Sequence, residues 1–218
     1  WGRRPPGARL YGRAGAPSDQ VSVSTPYEAG APATLRVLGI DPGLRLTGYA
    51  CLEAGSDASA WGGSVRLIEA GVLRFAPGRS VSQRLVELDH DLGELLGRHA
   101  PAVVAVEKLY SHWKHPLTAI LMGHARGVVL LGARRSGAEL AEVGATAVKK
   151  SLTGRGHASK QQMQDAVMSQ LRLTHRPEPA DVADAIAIAL CAARRHGLAA
   201  ALGGGSQEPV KRAAAATR

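Results

Sequence analysis

Leu35-Arg36-Val37-Leu38-Gly39-Ile40-Asp41, followed by Pro42 and Gly43, is the stretch on which the reading of this chain turns. A short apolar run that ends in a carboxylate and an Asp-Pro-Gly turn is a strand with its stop signal attached. Leu46–Glu53 and Arg66–Phe75 read as two further strands, so the chain opens with an antiparallel meander. Ser80–Arg98 then places Val81, Leu85, Leu88, Leu92, Leu95 and Leu96 at helical spacing. After Pro101, Val103–Glu107 (VVAVE) is fully apolar until its last residue, as a buried parallel strand should be. Leu117–Arg135 reads as a long helix and Glu139–Val143 as a short strand. Ser159 with Gln162 forms a capping box for a helix through Met163, Val167 and Leu171. Asp181–Arg195 is an Ala/Ile/Leu helix that must lie on the sheet. The expected class is α/β, with a mixed five-stranded sheet flanked by helices.

Around this body the composition changes. Residues 1–34 are rich in Gly, Pro, Ala and Arg and lack both a sustained period and the apolar core of a secretory signal. They are expected to be a disordered extension, and 203–218, opening Gly-Gly-Gly-Ser, a flexible tail. The working domain is then 35–202. Aromatic residues make up 4% of the chain, so its core must be aliphatic. Cys51 and Cys191 offer neither a disulfide framework nor a zinc ligand set, which suits a reducing, cytoplasmic setting. The longest apolar run, Ala185–Ala193, is nine residues, against the ~20 needed to cross a bilayer, and no membrane association is expected.

The formal charge of +9 points to a polyanionic partner, nucleic acid first. Its placement is more informative than its size. Between 149 and 176 stand Lys149, Lys150, Arg155, Lys160, Arg172 and Arg176 against Asp165 alone. That is a patch. As a charge run it could be a solvated basic face; beside a site for phosphate it becomes a track, with about 0.9 added to the salt slope per neutralised phosphate.

Four carboxylates each have a local explanation. Asp41 suits the first position of an Asp-Pro-Gly turn, and Glu107 could be a strand-end charge reaching solvent. Asp181 and Asp184 could serve a helix N-terminus through capping and the dipole. Taken together they read differently. Two strand ends at one sheet edge and the start of a nearby helix bring the four acids together, and divalent cations would resolve their repulsion. All-oxygen ligation suits Mg²⁺ or Mn²⁺ rather than zinc. A pair of such ions ~4 Å apart suits phosphodiester hydrolysis.

In order along the chain stand Gly39–Tyr49 (GIDPGLRLTGY), VVAVE-Lys-Leu-Tyr, Gly123-His124-Ala125-Arg126-Gly127, Val148-Lys149-Lys150 with Gly154-Arg155-Gly156 and Lys160, and Asp181-Val182-Ala183-Asp184-Ala185. This series resembles the RuvC family, bacterial Holliday-junction resolvases with an RNase H-like fold. The resemblance spans about 36 to 196. It implies that Asp41, Glu107, Asp181 and Asp184 are catalytic and hold two Mg²⁺ ions, with Mn²⁺ as a substitute. It implies that Lys149 and Lys160 hold DNA phosphates near the cut and that Tyr110 stacks on bases at the crossover. Tyr110 stands where the family more often has Phe, and Lys108 where it has Gln, which adds phosphate attraction. Lys150 and Arg155 join the expected DNA contacts. A homodimer making paired nicks in four-way junction DNA, fed by RuvA and RuvB, is implied as well.

Other features weigh less. Tyr110 and Trp113 suit either burial under their loop or stacking on unpaired bases, while His112 and His115 read as loop residues. Gly154-x-Gly156 lacks the strand and Gly-Lys-Ser/Thr of a nucleotide loop. Gly123 and Gly127 allow close helix approach, either within the chain or between two copies. The competing readings are an RNase H-like nuclease for RNA–DNA hybrids or duplex ends, a non-catalytic junction binder, and an actin-like ATP-binding protein. The converging acids disfavour the binder, and the missing second phosphate loop disfavours the ATP-binding protein.

Overall fold

The computed structural model describes residues 21–22, 34–55, 65–109 and 116–201. Its strands are β1 (Val21–Ser22), β2 (Thr34–Asp41), β3 (Leu46–Gly55), β4 (Val65–Arg74), β5 (Val103–Glu107) and β6 (Glu139–Val143). Its helices are α1 (Val81–His99), α2 (Pro116–Ser136), α3 (Ala145–Thr153), α4 (Lys160–Leu171) and α5 (Ala180–Ala201). The sheet order is β1-β4-β3-β2-β5-β6. β2, β3 and β4 form the expected meander, and β5 and β6 run parallel to β2.

The five anticipated strands are present, with the two-residue β1 added on the free edge of β4, where Val21 faces Ala70 and Ser22 faces Glu69. An edge strand leaves a row of unpaired backbone groups, which is what β1 covers. Thus three residues from the stretch expected to be an extension, Val21, Ser22 and Thr34, join the sheet. α3 is a helix that the sequence reading left unassigned. Gly144 caps its start and Gly154, at φ 74°, ends it in a left-handed turn that a side chain would disfavour.

Strand alternation divides the core. Val37, Val103 and Ala105 belong to the cluster packed under α3, α4 and α5, whereas Leu38, Ile40, Val104 and Val106 join α1 and α2 on the other face. Continuing the period of two places Asp41 on the α5 face with Val37 and Gly39, and Glu107 there with Val103 and Ala105. On the opposite face, the end of α1 is held by Glu69, which accepts from Tyr49 Oη at 2.8 Å and from Arg98 Nη1 at 3.0 Å.

α5 lies unusually close to the sheet. The run Ala185–Ala193 is wholly buried. A Cβ on Gly39 would stand 2.3 Å from the Ala185 carbonyl oxygen, and one on Gly48 would stand 2.1 Å from the Asp181 carbonyl oxygen. Glycine is required at both positions by proximity, not by φ. Gly48 is also the register partner of Asp41. The helix start is therefore seated directly beside the end of β2.

Gly48→Ala should cost about 1–3 kcal/mol or more in urea unfolding, the usual range for overpacking. Gly55→Ala, where nothing lies within 4 Å of the added methyl, should stay within about 0.5 kcal/mol of wild type. Equal, small effects at both positions would contradict the close approach of α5.

Candidate active site

Each carboxylate is delivered by a different local device. β2 ends at Asp41 because Pro42 and Gly43 turn the chain, and the buried Thr47 closes that turn. Its Oγ1 donates to the Gly43 carbonyl at 2.7 Å and accepts from the Gly43 amide at 3.2 Å. Glu107 ends β5, whose register with β2 pairs Ile40 with Val106, so the two acids leave neighbouring strands at the same edge. Asp181 and Asp184 lie three residues apart in the first turns of α5 and so share a helix face.

All four are half-buried. Burial pushes the Asp41 carboxyl up to about 7, with Asp184, Glu107 and Asp181 each adding to the rise and Lys160 opposing it. Glu107 is raised by burial and by Asp184, against Lys149. Asp184 is raised by burial and by Asp181, against Lys160 and Lys149. The two lysines singled out in the sequence are thus the cations that the acids feel. Lys160 Nζ stands 3.8 Å from Asp184 Oδ2, at the capped start of α4, where Ser159 Oγ accepts from the Gln162 amide. Lys149 comes from α3.

Four half-buried carboxylates at one edge, three of them raised by burial and by their acidic neighbours, with only oxygen donors, form the donor set that a hard divalent cation favours, since such a cation relieves repulsion and desolvation together. His90, Asp91 and Glu94 also bring ligand atoms within 4.8 Å of one another. They lie along α1, which packs on the face of the sheet away from α5, with His90 3.3 Å from Asp91 and 3.8 Å from Glu94.

The remaining sequence candidates are less tightly gathered. Lys108 follows Glu107 and is exposed, its amide donating to the Val143 carbonyl at 2.8 Å. Lys150 and Arg155 are exposed around the end of α3. Tyr110, Trp113, His112 and His115 lie outside the described residues. Two residues escaped the sequence reading. Thr47 clamps the Asp41 turn, and Arg126 of α2 donates from Nε to the Glu107 carbonyl at 3.1 Å. A lone arginine at the centre of an apolar helix was the available signal for Arg126. Nothing local marked Thr47.

A carboxyl raised from 3.8 to about 7 on folding keeps its proton longer in the folded chain than in the unfolded one. The folded state is therefore penalised progressively as pH rises through this interval. In metal-free protein, Asp41→Asn should raise Tm by several degrees at about pH 8 and leave it nearly unchanged at about pH 4. A thermal-melt series in which the advantage does not grow with pH would refute this.

Similarity to known proteins agrees with this geometry. Residues 37–192 match the family model described as crossover junction endodeoxyribonuclease RuvC. The RuvC of Rhodopirellula baltica is 48% identical over 155 residues, covering 71% of this chain and 84% of that protein. Among solved structures, Thermus thermophilus RuvC in complex with a Holliday junction substrate superposes with a TM-score of 0.68 at 30% identity, covering 75% of this chain and 96% of that one. The yeast mitochondrial Holliday junction resolvase, at 16% identity and a TM-score of 0.56, covers 78% of this chain and 82% of its own and shares the fold. The RNase H-like architecture expected from the motifs is the one observed. On the match along 37–192 and the identity with its curated relatives, this chain belongs to the RuvC family of crossover junction endodeoxyribonucleases.

Proposed function

We propose that this protein is a Mg²⁺-dependent endonuclease that resolves four-way (Holliday) DNA junctions in recombination and repair. One observation carries the reading: Asp41, Glu107, Asp181 and Asp184 meet on one face of the sheet with Lys149 and Lys160 as their flanking cations. A protein that only bound DNA would have no use for converging negative charge beside phosphate.

The four carboxylates would hold the metal, two Mg²⁺ per site, with Mn²⁺ as a substitute. When bound, such ions supply an activated water and charge stabilisation for the leaving oxygen. The protein's own groups do the rest. Lys160, with 64% of its side chain exposed, has the reach to turn from Asp184 to a backbone phosphate. Lys149 neutralises the same region from α3. Lys150, Arg155 and Lys108 extend the phosphate track, and Tyr110 stacks near the crossover. Hydrolysis leaves a 5′-phosphate and a 3′-hydroxyl.

Paired, symmetric nicks call for two sites, and α2 offers the seam for a homodimer. By length and composition it could even cross a membrane, yet it packs on α1 and bears Arg126 at its centre. Leu117 and Ile120 are 76% and 56% exposed. A Cβ on Gly127 would meet nothing within 4 Å, and one on Gly123 only Leu109 Cδ1 at 3.9 Å. Among the described residues these glycines serve no close approach, which favours the second copy. A cytoplasmic setting and delivery of the junction by RuvA and RuvB complete the proposal.

The decisive assay presents a mobile four-way junction, an RNA–DNA hybrid and a linear duplex side by side, with both cut strands mapped. Asp184→Asn should abolish junction cleavage while keeping junction binding; retained nicking in Mg²⁺ would defeat the metal assignment. Lys149→Ala with Lys160→Ala should weaken binding and lower the salt slope by about 1 for each lysine, and an unchanged slope would remove both from the track. Leu117→Glu with Ile120→Glu should give a monomer by light scattering that no longer nicks in pairs. A dimer persisting in that variant would exclude the α2 seam.

A further inference from the structure

We infer that Arg126 is the positioning residue for Glu107, fixing the strand-end peptide that aims this carboxylate at the metal; the inference rests on the metal-site reading above. Arg126 projects from the middle of α2, and its side chain is only 14% exposed. Its Nε donates to the Glu107 carbonyl at 3.1 Å, and its Nη2 bonds the Glu142 carboxylate on β6.

The end of β5 explains why such a group is needed. The Lys108 amide donates to the Val143 carbonyl at 2.8 Å, which ties it to β6. That amide and the Glu107 carbonyl belong to one trans peptide unit, so they point in opposite directions. The carbonyl thus faces the β2 side. There the ladder has already stopped, because its last register pair is Ile40 with Val106 and β2 turns away after Asp41. Arg126 takes the carbonyl that the sheet leaves over. The peptide carrying Glu107 is held from both sides, by β6 through Lys108 and by α2 through Arg126.

Arginine suits this task and lysine does not. A guanidinium presents several donors in a rigid planar fork, so one side chain can hold a carbonyl and a carboxylate at once. A half-buried cation is costly unless it is fully used, and both known partners of Arg126 lie at the ends of the strands that frame the site. Groups behind a metal ligand that orient it usually matter by about 10–100-fold in metal affinity. Glu142 consequently has a supporting part: it steers the guanidinium without facing the metal.

The test is Mn²⁺ binding to the full-length, DNA-free protein, titrated by electron paramagnetic resonance beside a thermal melt and metal-free junction binding. Arg126→Gln should weaken Mn²⁺ binding about 10-fold while junction affinity without metal stays within about twofold. Arg126→Lys should retain the fold and give an intermediate loss, and Glu142→Gln a smaller loss than Arg126→Gln. If Arg126→Gln does not fold, Arg126→Lys decides alone. Wild-type Mn²⁺ affinity in the folded Arg126 variants would overturn the positioning role and leave the metal site standing. A wild-type protein that binds no Mn²⁺ would overturn both.

Discussion

The approach of α5 to the sheet is the constraint on which the rest of the molecule depends. Gly39 and Gly48 leave no side chain between β2, β3 and the helix, and the backbone of α5 occupies the space that two Cβ atoms would have filled. The alanine-rich run Ala185–Ala193 supplies a surface narrow enough to use that space. Because Gly48 is the register partner of Asp41, the helix start arrives beside the last residue of β2. Asp181 and Asp184 thereby join acids that come from more than 70 residues away in sequence. A larger side chain at Gly48 would separate the acids from one another before it changed any of them.

That arrangement is electrostatically unfavourable on its own. Burial and mutual repulsion raise Asp41, Glu107 and Asp184 together, and the lysines from α3 and α4 offset only part of the rise. The fold accepts this cost at one edge of a core that is otherwise mostly aliphatic, with Tyr49 and Phe75 as its buried aromatics. A local conflict of this kind, inside an otherwise consistent structure, is where function is expected. The basic patch at 149–176 acquires its meaning from the same place. Lys149 and Lys160 face the acids, whereas Lys150 and Arg155 stand exposed beyond them.

The long-range elements were legible in the sequence for clear reasons. Short continuous apolar runs that end in a carboxylate, such as VVAVE, carry their own boundaries, and β5 and β6 fall where the sequence puts them. The capping box at Ser159 and Gln162 marked α4 by the same hydrogen bonds that close it in the structure. α3 was missed because it is short and holds only two buried apolar residues, Val148 and Leu152, too few to establish a helical period. The pairing of Val21–Ser22 with β4 was missed because two residues cannot display any period. Thr47 was hidden for another reason: its partners are the backbone carbonyl and amide of Gly43, which have no signature in sequence, and the arginine at the centre of α2 marked a buried partner without saying that it is the Glu107 carbonyl.

By itself the sequence determined the class of the fold, the order of its elements and the chemical character of the site. Hydrophobic periodicity sets which face of a strand is buried, and residue type sets what an exposed end can bind. Only the tertiary structure decided that the four carboxylates share one face, that glycine at 39 and 48 admits α5, and that Arg126 secures the peptide of Glu107. Those facts depend on distances between segments far apart in the chain, and such distances exist only once the sheet register and the helix packing have been set.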